Sequence, residues 1–405
     1  MVSKIFKRIV IVVDYCACLF LIPVGMIGSI FAIPWILSKR RTWQDSAKGN
    51  QKVLFILPIF IERLDNRGYE HLLPFSNPHM KWTAMLDPVS TTEVDIKLIE
   101  NFHLIAWKSP KIVRFLAEKK FQGISTILRE LIAVIRITSY CGKERIGILR
   151  AFKHHYPALR AFLVSRLIKI PYIVDITGNY ELVRRLTGKA LYFRGLKKLP
   201  LIKLFVPTLT NWLLGLPLKH AFHVFGRNKN NYEHAFAIGA PVDRLSLLRI
   251  TYFNTAFSAY NPEQPPAKPL EYPYMLFVGR LAEINFPFDV IDAFNIAAPQ
   301  LPDYRLVIIG DGAIKNDVEH RIACSEFKDR IVYTGACPND VVFNWTANAK
   351  VAICPYSGAV LGEAMLCEIP VIAYDVEWHA EMVIDDYTGF LVPFRNIAAL
   401  AEKMI

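Results

Sequence analysis

No two aspartates in this chain stand two positions apart. A metal-bridged nucleotide-sugar site of the single-domain kind therefore lacks its usual ligands. There is no GxSxG elbow, no GxxxxGKS/T loop and no HExxH helix, so serine-hydrolase, P-loop and zincin chemistries are set aside. The seven cysteines, at 16, 18, 141, 324, 337, 354 and 367, include no CxxC pair and no His/Cys spacing suited to zinc. They read as reduced, mostly buried thiols of a cytoplasmic body. Low-complexity tracts and internal repeats are also missing. With 405 residues, 53% of them hydrophobic and 12% aromatic, the chain has material for two ordinary domains rather than for a disordered tail.

Two further absences are local. From Tyr15 to Ser38 there is no charged residue, and these 24 residues make a helix of about 36 Å against a bilayer core of about 30 Å. Lys39, Arg40 and Arg41 follow as an interfacial stop, and no signal-peptide cleavage site is evident. The segment is expected to anchor the chain in a membrane, with a re-entrant hairpin kinked at Pro23 and Pro34, or a buried soluble helix, as the alternatives. Lys4, Lys7 and Arg8 nearly balance the far-side charges, so orientation has to come from function.

From Leu182 to Tyr232 there is no Asp or Glu, and ten basic residues there account for most of the net charge of +12. Tyr192, Phe193, Phe205 and Trp212 are interleaved with them, a mixture suited to an anionic membrane surface. A solvated basic face over ordinary core is the plainer alternative. Nucleic acid is the rival partner, and a membrane segment in the same chain favours lipid.

The chain divides at Phe257 to Tyr274, "FSAYNPEQPPAKPLEYPY", where five prolines describe an extended linker. Beyond it "YMLFVG", "RLVIIGDG", "RIVYTG", "VAICPY", "PVIAYD" and "GFLV" alternate with helical stretches. Near-continuous apolar strands between helices mean a parallel sheet covered on both faces. Before the linker "KVLFILP", "HLIAWK", "IGILRAF", "YIVDITG" and "HAFHVFG" repeat the pattern more loosely. The expectation is an α/β chain of two doubly wound, Rossmann-like domains facing a cleft: an anchor at 1–41, a first domain at 50–256, a linker at 257–273 and a second domain at 274–405. "GDG" at Gly310 to Gly312 reads as a tight turn, because Lys315 stands where a dinucleotide fingerprint has its third glycine.

The stretch "PYSGAVLGEAM", Pro355 to Met365, reads as a strand end, a Ser-Gly turn and a helix whose first turn is small and apolar. Such a start offers bare backbone N–H groups to an anion. Glu363 is the acid placed to reach such a site.

These residues carry a resemblance. "FVGRL" (Phe277 to Leu281), "VIIGDG", "IVYTG" and "EAMLCEIPVIAYDVEWHAEMVIDDYTGFLVP" (Glu363 to Pro393) together resemble the C-terminal half of a retaining family 4 glycosyltransferase of the GT-B fold, over about 130 residues. The N-terminal half resembles that family in strand order and in "IKIPYIVDITGN", Ile168 to Asn179. The resemblance implies that the helix start, Ser357, Gly358 and on to Gly362, meets the donor diphosphate and that Glu363 holds the ribose hydroxyls. It implies that Arg280, following Gly279, neutralises the leaving diphosphate, where negative charge grows in the transition state. Asn285 stands where the family usually has a phosphate-binding lysine, Pro355 where it usually has a glutamate, and "LPIFIERL" (Leu57 to Leu64) replaces its first Gly-rich loop. Family members also usually continue past the equivalent of Ile405, so the helix expected from Asn396 reads as cut short.

In the first domain His154 and His155 are candidates for acceptor contact or proton handling, or are surface residues at a helix start. Asp175, Thr177 and Gly178, in the "DITGN" loop, are candidates for binding sugar hydroxyls; Asp175 equally suits a helix cap. The expected function is a membrane-associated transferase that moves a sugar from a nucleotide-sugar donor to a lipid-linked or envelope glycan acceptor. Transfer is expected to be retaining and metal-independent, with no cofactor and no nucleic acid partner. The alternative is a catalytically degenerate member that binds nucleotide-sugar or scaffolds a membrane glycan-assembly complex. Because nucleotide sugars are cytoplasmic, both domains are expected on the cytoplasmic side of an inner or plasma membrane.

Overall fold

The computed structural model describes residues 52–56, 81–85, 93–99, 102–118, 122–187, 212, 214–249 and 255–405. The uncharged run Tyr15–Ser38, the Leu57–Leu64 segment and residues 188–211 of the basic stretch lie outside them. Among the described residues no helix is long and apolar enough to cross a membrane. They divide into two compact units. The first holds those up to Gly178 and those of 198–227 and 231–248; the second holds 179–197, 228–230 and 249–405.

The first unit is built on eight strands: β1 (Lys52–Ile56), β2 (Lys81–Met85), β3 (Val94–Ile99), β4 (Phe102–Ala106), β5 (Ile148–Phe152), β6 (Tyr172–Ile176), β7 (His223–Gly226) and β8 (Leu245–Leu247). Their order is β3-β4-β2-β1-β5-β6-β7-β8. Every pairing is parallel except β3 with β4. Leu54, Ile56, Leu149, Ala151, Val174 and Val224 share one buried cluster with Ala158, Ala161 and Val164 of the Tyr156–Ile168 helix. That helix begins with proline in its first turn and stops at Lys169, whose left-handed backbone (φ 57°) returns its N–H to the Ser165 carbonyl.

The second unit has six strands, β9 (Tyr274–Val278), β10 (Arg305–Ile309), β11 (Ile331–Gly335), β12 (Val351–Cys354), β13 (Val371–Tyr374) and β14 (Gly389–Val392). All six pair in parallel in the order β11-β10-β9-β12-β13-β14. They are the six apolar runs expected from the sequence. Met275, Phe277, Ile308, Ile353 and Ile372 pack with the Pro287–Ala297 and Ile397–Met404 helices, while Tyr274, Leu276, Val307 and Ile309 pack on the other face with Trp345. Each such side chain removed from water contributes about 1.5–3 kcal/mol, which is why these strands read as unbroken apolar runs.

The proline-rich stretch lies against this unit: Phe257 is buried with Ala347 and Cys367, and Asn348 donates to the Pro266 carbonyl at 3.2 Å. The last helix starts where expected, with the Asn396 side chain accepting the Ala399 N–H at 3.0 Å. All five described cysteines are free thiols. Burial pushes Cys354 and Cys367 up to about 12, so neither is a nucleophile at neutral pH.

Candidate functional site

The order of the second sheet reverses between β9 and β12. The carboxyl ends of two adjacent strands there send their connections to opposite sides, which opens a crevice at the sheet edge. Gly279 and Arg280 follow β9, and Tyr356, Ser357 and Gly358 follow β12 after Pro355. The sequence-predicted residues of this unit therefore converge on one edge.

The loop after β9 is shaped by its neighbour after β10. Gly279 donates to the Ile309 carbonyl at 3.0 Å and Leu281 to the Asp311 carbonyl at 2.9 Å. A Cβ at Gly310 would lie 1.8 Å from the Gly279 carbonyl oxygen, and one at Gly312 would lie 2.1 Å from that of Leu281. The "GDG" turn is thus the rail on which the Arg280 loop runs, a packing role that its turn-like sequence did not reveal. Asn285 Nδ2 donates to the Arg280 carbonyl at 2.8 Å. The Asn285 amide is engaged in holding the arginine's backbone, while the Arg280 residue is exposed.

The helix after β12, Ala359–Leu366, begins at Gly358, with no side-chain cap and no acid in its first turn. Its first N–H groups have no partners within the helix, and a Cβ at Gly358 would meet open space. Gly362 is buried against the sheet and Glu363 is half-buried.

One N–H just before the helix is already engaged. Ser357 donates its backbone N–H to His379 Nε2 at 3.2 Å, and His379 Nδ1 donates to the Tyr374 carbonyl at 2.8 Å. The Tyr374 hydroxyl donates to Asp289 at 2.8 Å, and Asp289 is paired with Arg395 at 3.3 Å. The helix start is therefore anchored to the core through hydrogen-bonded side chains. His379 is fully buried, and burial lowers its pKa, so the ring stays neutral with Nε2 as acceptor. Beside it the Tyr356 hydroxyl donates to Glu377 at 2.5 Å. Neither His379 nor Glu377 was a sequence candidate. The only sequence signal was their place in the loop after β13, at the same sheet edge.

The sequence candidates of the first unit gather at the ends of β5 and β6. Asp175 is fully buried and its two oxygens are held by arginines: Arg150 donates to both, at 2.7 and 3.0 Å, and Arg227 to one at 3.1 Å. Asp175 is an ion-pair hub here rather than an open acceptor for hydroxyls. The cap it was weighed for is supplied by Asn179, whose side chain accepts from Glu181 and Leu182 at 3.1 and 3.0 Å. Thr177 and Gly178 are half-buried just beyond β6, and Gly178 has open space where a Cβ would stand.

His154 is fully buried rather than a surface residue of the helix start, with its ring 5.4 Å from that of His234 and 6.3 Å from that of His155. Burial lowers His154 well below the usual imidazole range and His155 to about 3, with Lys153 adding to both effects. Both rings are neutral at pH 7. No group of three metal-ligating side chains occurs among the described residues.

Residues 261–405 match the family "Glycosyl transferases group 1". Among curated proteins the chain is 28% identical to alpha-D-kanosaminyltransferase of Streptomyces kanamyceticus over 140 residues, 33% of this chain and 36% of that protein. It is 33% identical to 2-deoxystreptamine glucosyltransferase of the same organism, over 33% of this chain and 35% of that one. The chain thus spans about a third of the length of these relatives. Among solved structures, sucrose-phosphate synthase from Thermosynechococcus elongatus superposes with a TM-score of 0.65 at 15% identity, covering 88% of this chain and 89% of that one. Anabaena HepE in complex with UDP and glucose gives 0.61 at 14% identity, covering 87% and 88%. The fold is that of the GT-B glycosyltransferases, with two Rossmann-like sheets.

Proposed function

Starting from a second unit that carries a group 1 glycosyl transferase domain, we propose that the chain transfers a sugar from a nucleoside-diphosphate donor. The observation that carries this reading is the uncapped start of the Ala359–Leu366 helix beside the Arg280 loop, at the edge where the sheet order reverses. A helix N-terminus and a guanidinium are both suited to a diphosphate. They are worth most as the leaving group gains charge. Glu363, one turn into the helix, takes the ribose hydroxyls. The transfer is retaining, with the acceptor attacking from the face the nucleotide leaves, and needs no metal.

The acceptor belongs to the first unit, and is a lipid-linked or envelope glycan if Tyr15–Ser38 holds the chain to a membrane. Titrating the chain lacking residues 1–41 with anionic and neutral vesicles tests the surface part of this reading. Salt-sensitive binding to the anionic vesicles is expected, and equal binding to both kinds would refute it. The donor part is tested by a thermal-shift panel of UDP, GDP, ADP and CMP conjugates, in which one base class should raise the melting temperature. Occupation of the Asn285 amide by the Arg280 carbonyl favours a second reading, a nucleotide-sugar binder without turnover. Donor binding with no sugar transfer to any acceptor would support that reading.

A further inference from the structure

Glu377 carries two unfavourable features at once. Its backbone is left-handed (φ 50°) although it is not glycine, a conformation that L side chains disfavour. Its carboxyl is largely buried, burial raises its pKa, and it forms no ion pair among the described residues. Neutral donors hold it instead: the Tyr356 hydroxyl at 2.5 Å, the Asn228 side chain and the Asn179 backbone. A carboxylate accepts about four hydrogen bonds, so three neutral donors leave acceptor capacity unspent. Strain and buried charge of this kind gather at functional sites.

The position of this carboxyl is fixed from two sides. Tyr356, which holds it, immediately precedes Ser357, and His379, two residues beyond it, accepts the Ser357 N–H at 3.2 Å. The loop from Glu377 to His379 is thereby stitched to the junction between β12 and the Ala359–Leu366 helix. That junction, Pro355 to Gly358, carries no acid of its own. The loop is an immediate neighbour of the helix start, joined to it through Tyr356 and Ser357.

We infer that Glu377 binds hydroxyl groups of the donor sugar and is the residue that selects which sugar is accepted. The inference rests on the proposed donor site and adds to it the part that reads the sugar. Its chemistry is an acceptor-only carboxylate facing vicinal hydroxyls, held in place by the Tyr356 hydroxyl. The competing role is structural, a tie that only fastens the Asn179 and Asn228 segments.

The test uses the full chain, Glu377→Gln and Glu377→Gly, with calorimetry of the free nucleoside diphosphate and of its sugar conjugates, including conjugates deoxygenated one hydroxyl at a time. Glutamine keeps an acceptor for Tyr356, and glycine relieves the left-handed backbone. In both variants diphosphate affinity should stay within about twofold of wild type. Affinity for the preferred sugar conjugate should fall about tenfold or more, the size of a lost charge-assisted hydrogen bond. The deoxy conjugate that loses most against wild type should lose nothing further against the variants. Equal losses for diphosphate and conjugate, or unchanged discrimination among deoxy sugars, would overturn the inference and leave the donor site standing. Failure of wild type to bind any nucleoside diphosphate would remove the donor site and this inference together.

Discussion

His379 accepts the backbone N–H of Ser357 on Nε2 at 3.2 Å while its Nδ1–H donates to the Tyr374 carbonyl at 2.8 Å. A loop after one strand thereby fixes the residue that leads into a helix after its neighbour. The ring is buried and neutral, so the tautomer is set by the Tyr374 carbonyl.

Replacing His379 by phenylalanine keeps the ring and removes both contacts. Leaving the Ser357 N–H without its acceptor costs about 1–3 kcal/mol, seen as a lower urea midpoint. Nucleoside-diphosphate affinity, measured by calorimetry, should fall about tenfold because the helix start is no longer held. An unchanged affinity would show that His379 serves the core alone.

Asp175→Asn removes the charge shared by Arg150 and Arg227, whose side chains are 13% and 7% exposed. Neutralising one partner of a buried ion pair costs about 3–5 kcal/mol. Chemical denaturation should show a loss of that size; a variant as stable as wild type would mean that the pair contributes nothing net.

Neutral histidine burial makes the first unit sensitive to acid. His155 is lowered to about 3 and His154 well below its usual range, so between pH 6.5 and 3 the unfolded chain binds more protons than the folded one. Stability is therefore full above about pH 6.5 and falls with pH below it, by about 2 kcal/mol at pH 5 for His155. His155→Gln should flatten that slope in denaturation curves at pH 7.5 and 5. Lys153 and Arg160 face His155 and lower its pKa further, which extends the loss to lower pH. A wild-type curve that is flat over this range would contradict the burial account.

The second unit was legible because a parallel sheet covered on both faces demands unbroken apolar strands, and "YMLFV", "RLVII" and "VAIC" are such strands. In the first unit β2 (KWTAM), β3 (VDIKLI) and β8 (LSL) went unread. The antiparallel strand β3 ends its sheet and exposes Asp95, Ile96 and Lys97, so neither a continuous apolar run nor alternation marks it. Arg280 and Glu363 were picked out because one follows a recognisable strand and the other lies one turn into the helix after a recognisable turn. The ion pairs of Asp175 were not legible because its partners arrive from β5 and from beyond β7, and a lone acid near a strand end does not announce two arginines. Glu377 and His379 are tied to Tyr356 and Ser357, some twenty residues earlier, a link that the β12–β13 pairing creates.

The central claim is a diphosphate site made by Arg280 and the start of the Ala359–Leu366 helix, with Glu363 on the ribose. Isothermal titration of wild type, Arg280→Ala and Glu363→Ala with UDP, GDP and ADP tests it most directly. One of these nucleotides should bind wild type, and each variant should weaken that binding by about 1–3 kcal/mol, one charge-assisted contact apiece. Binding by none of the three, or variants that bind as tightly as wild type, would contradict the account.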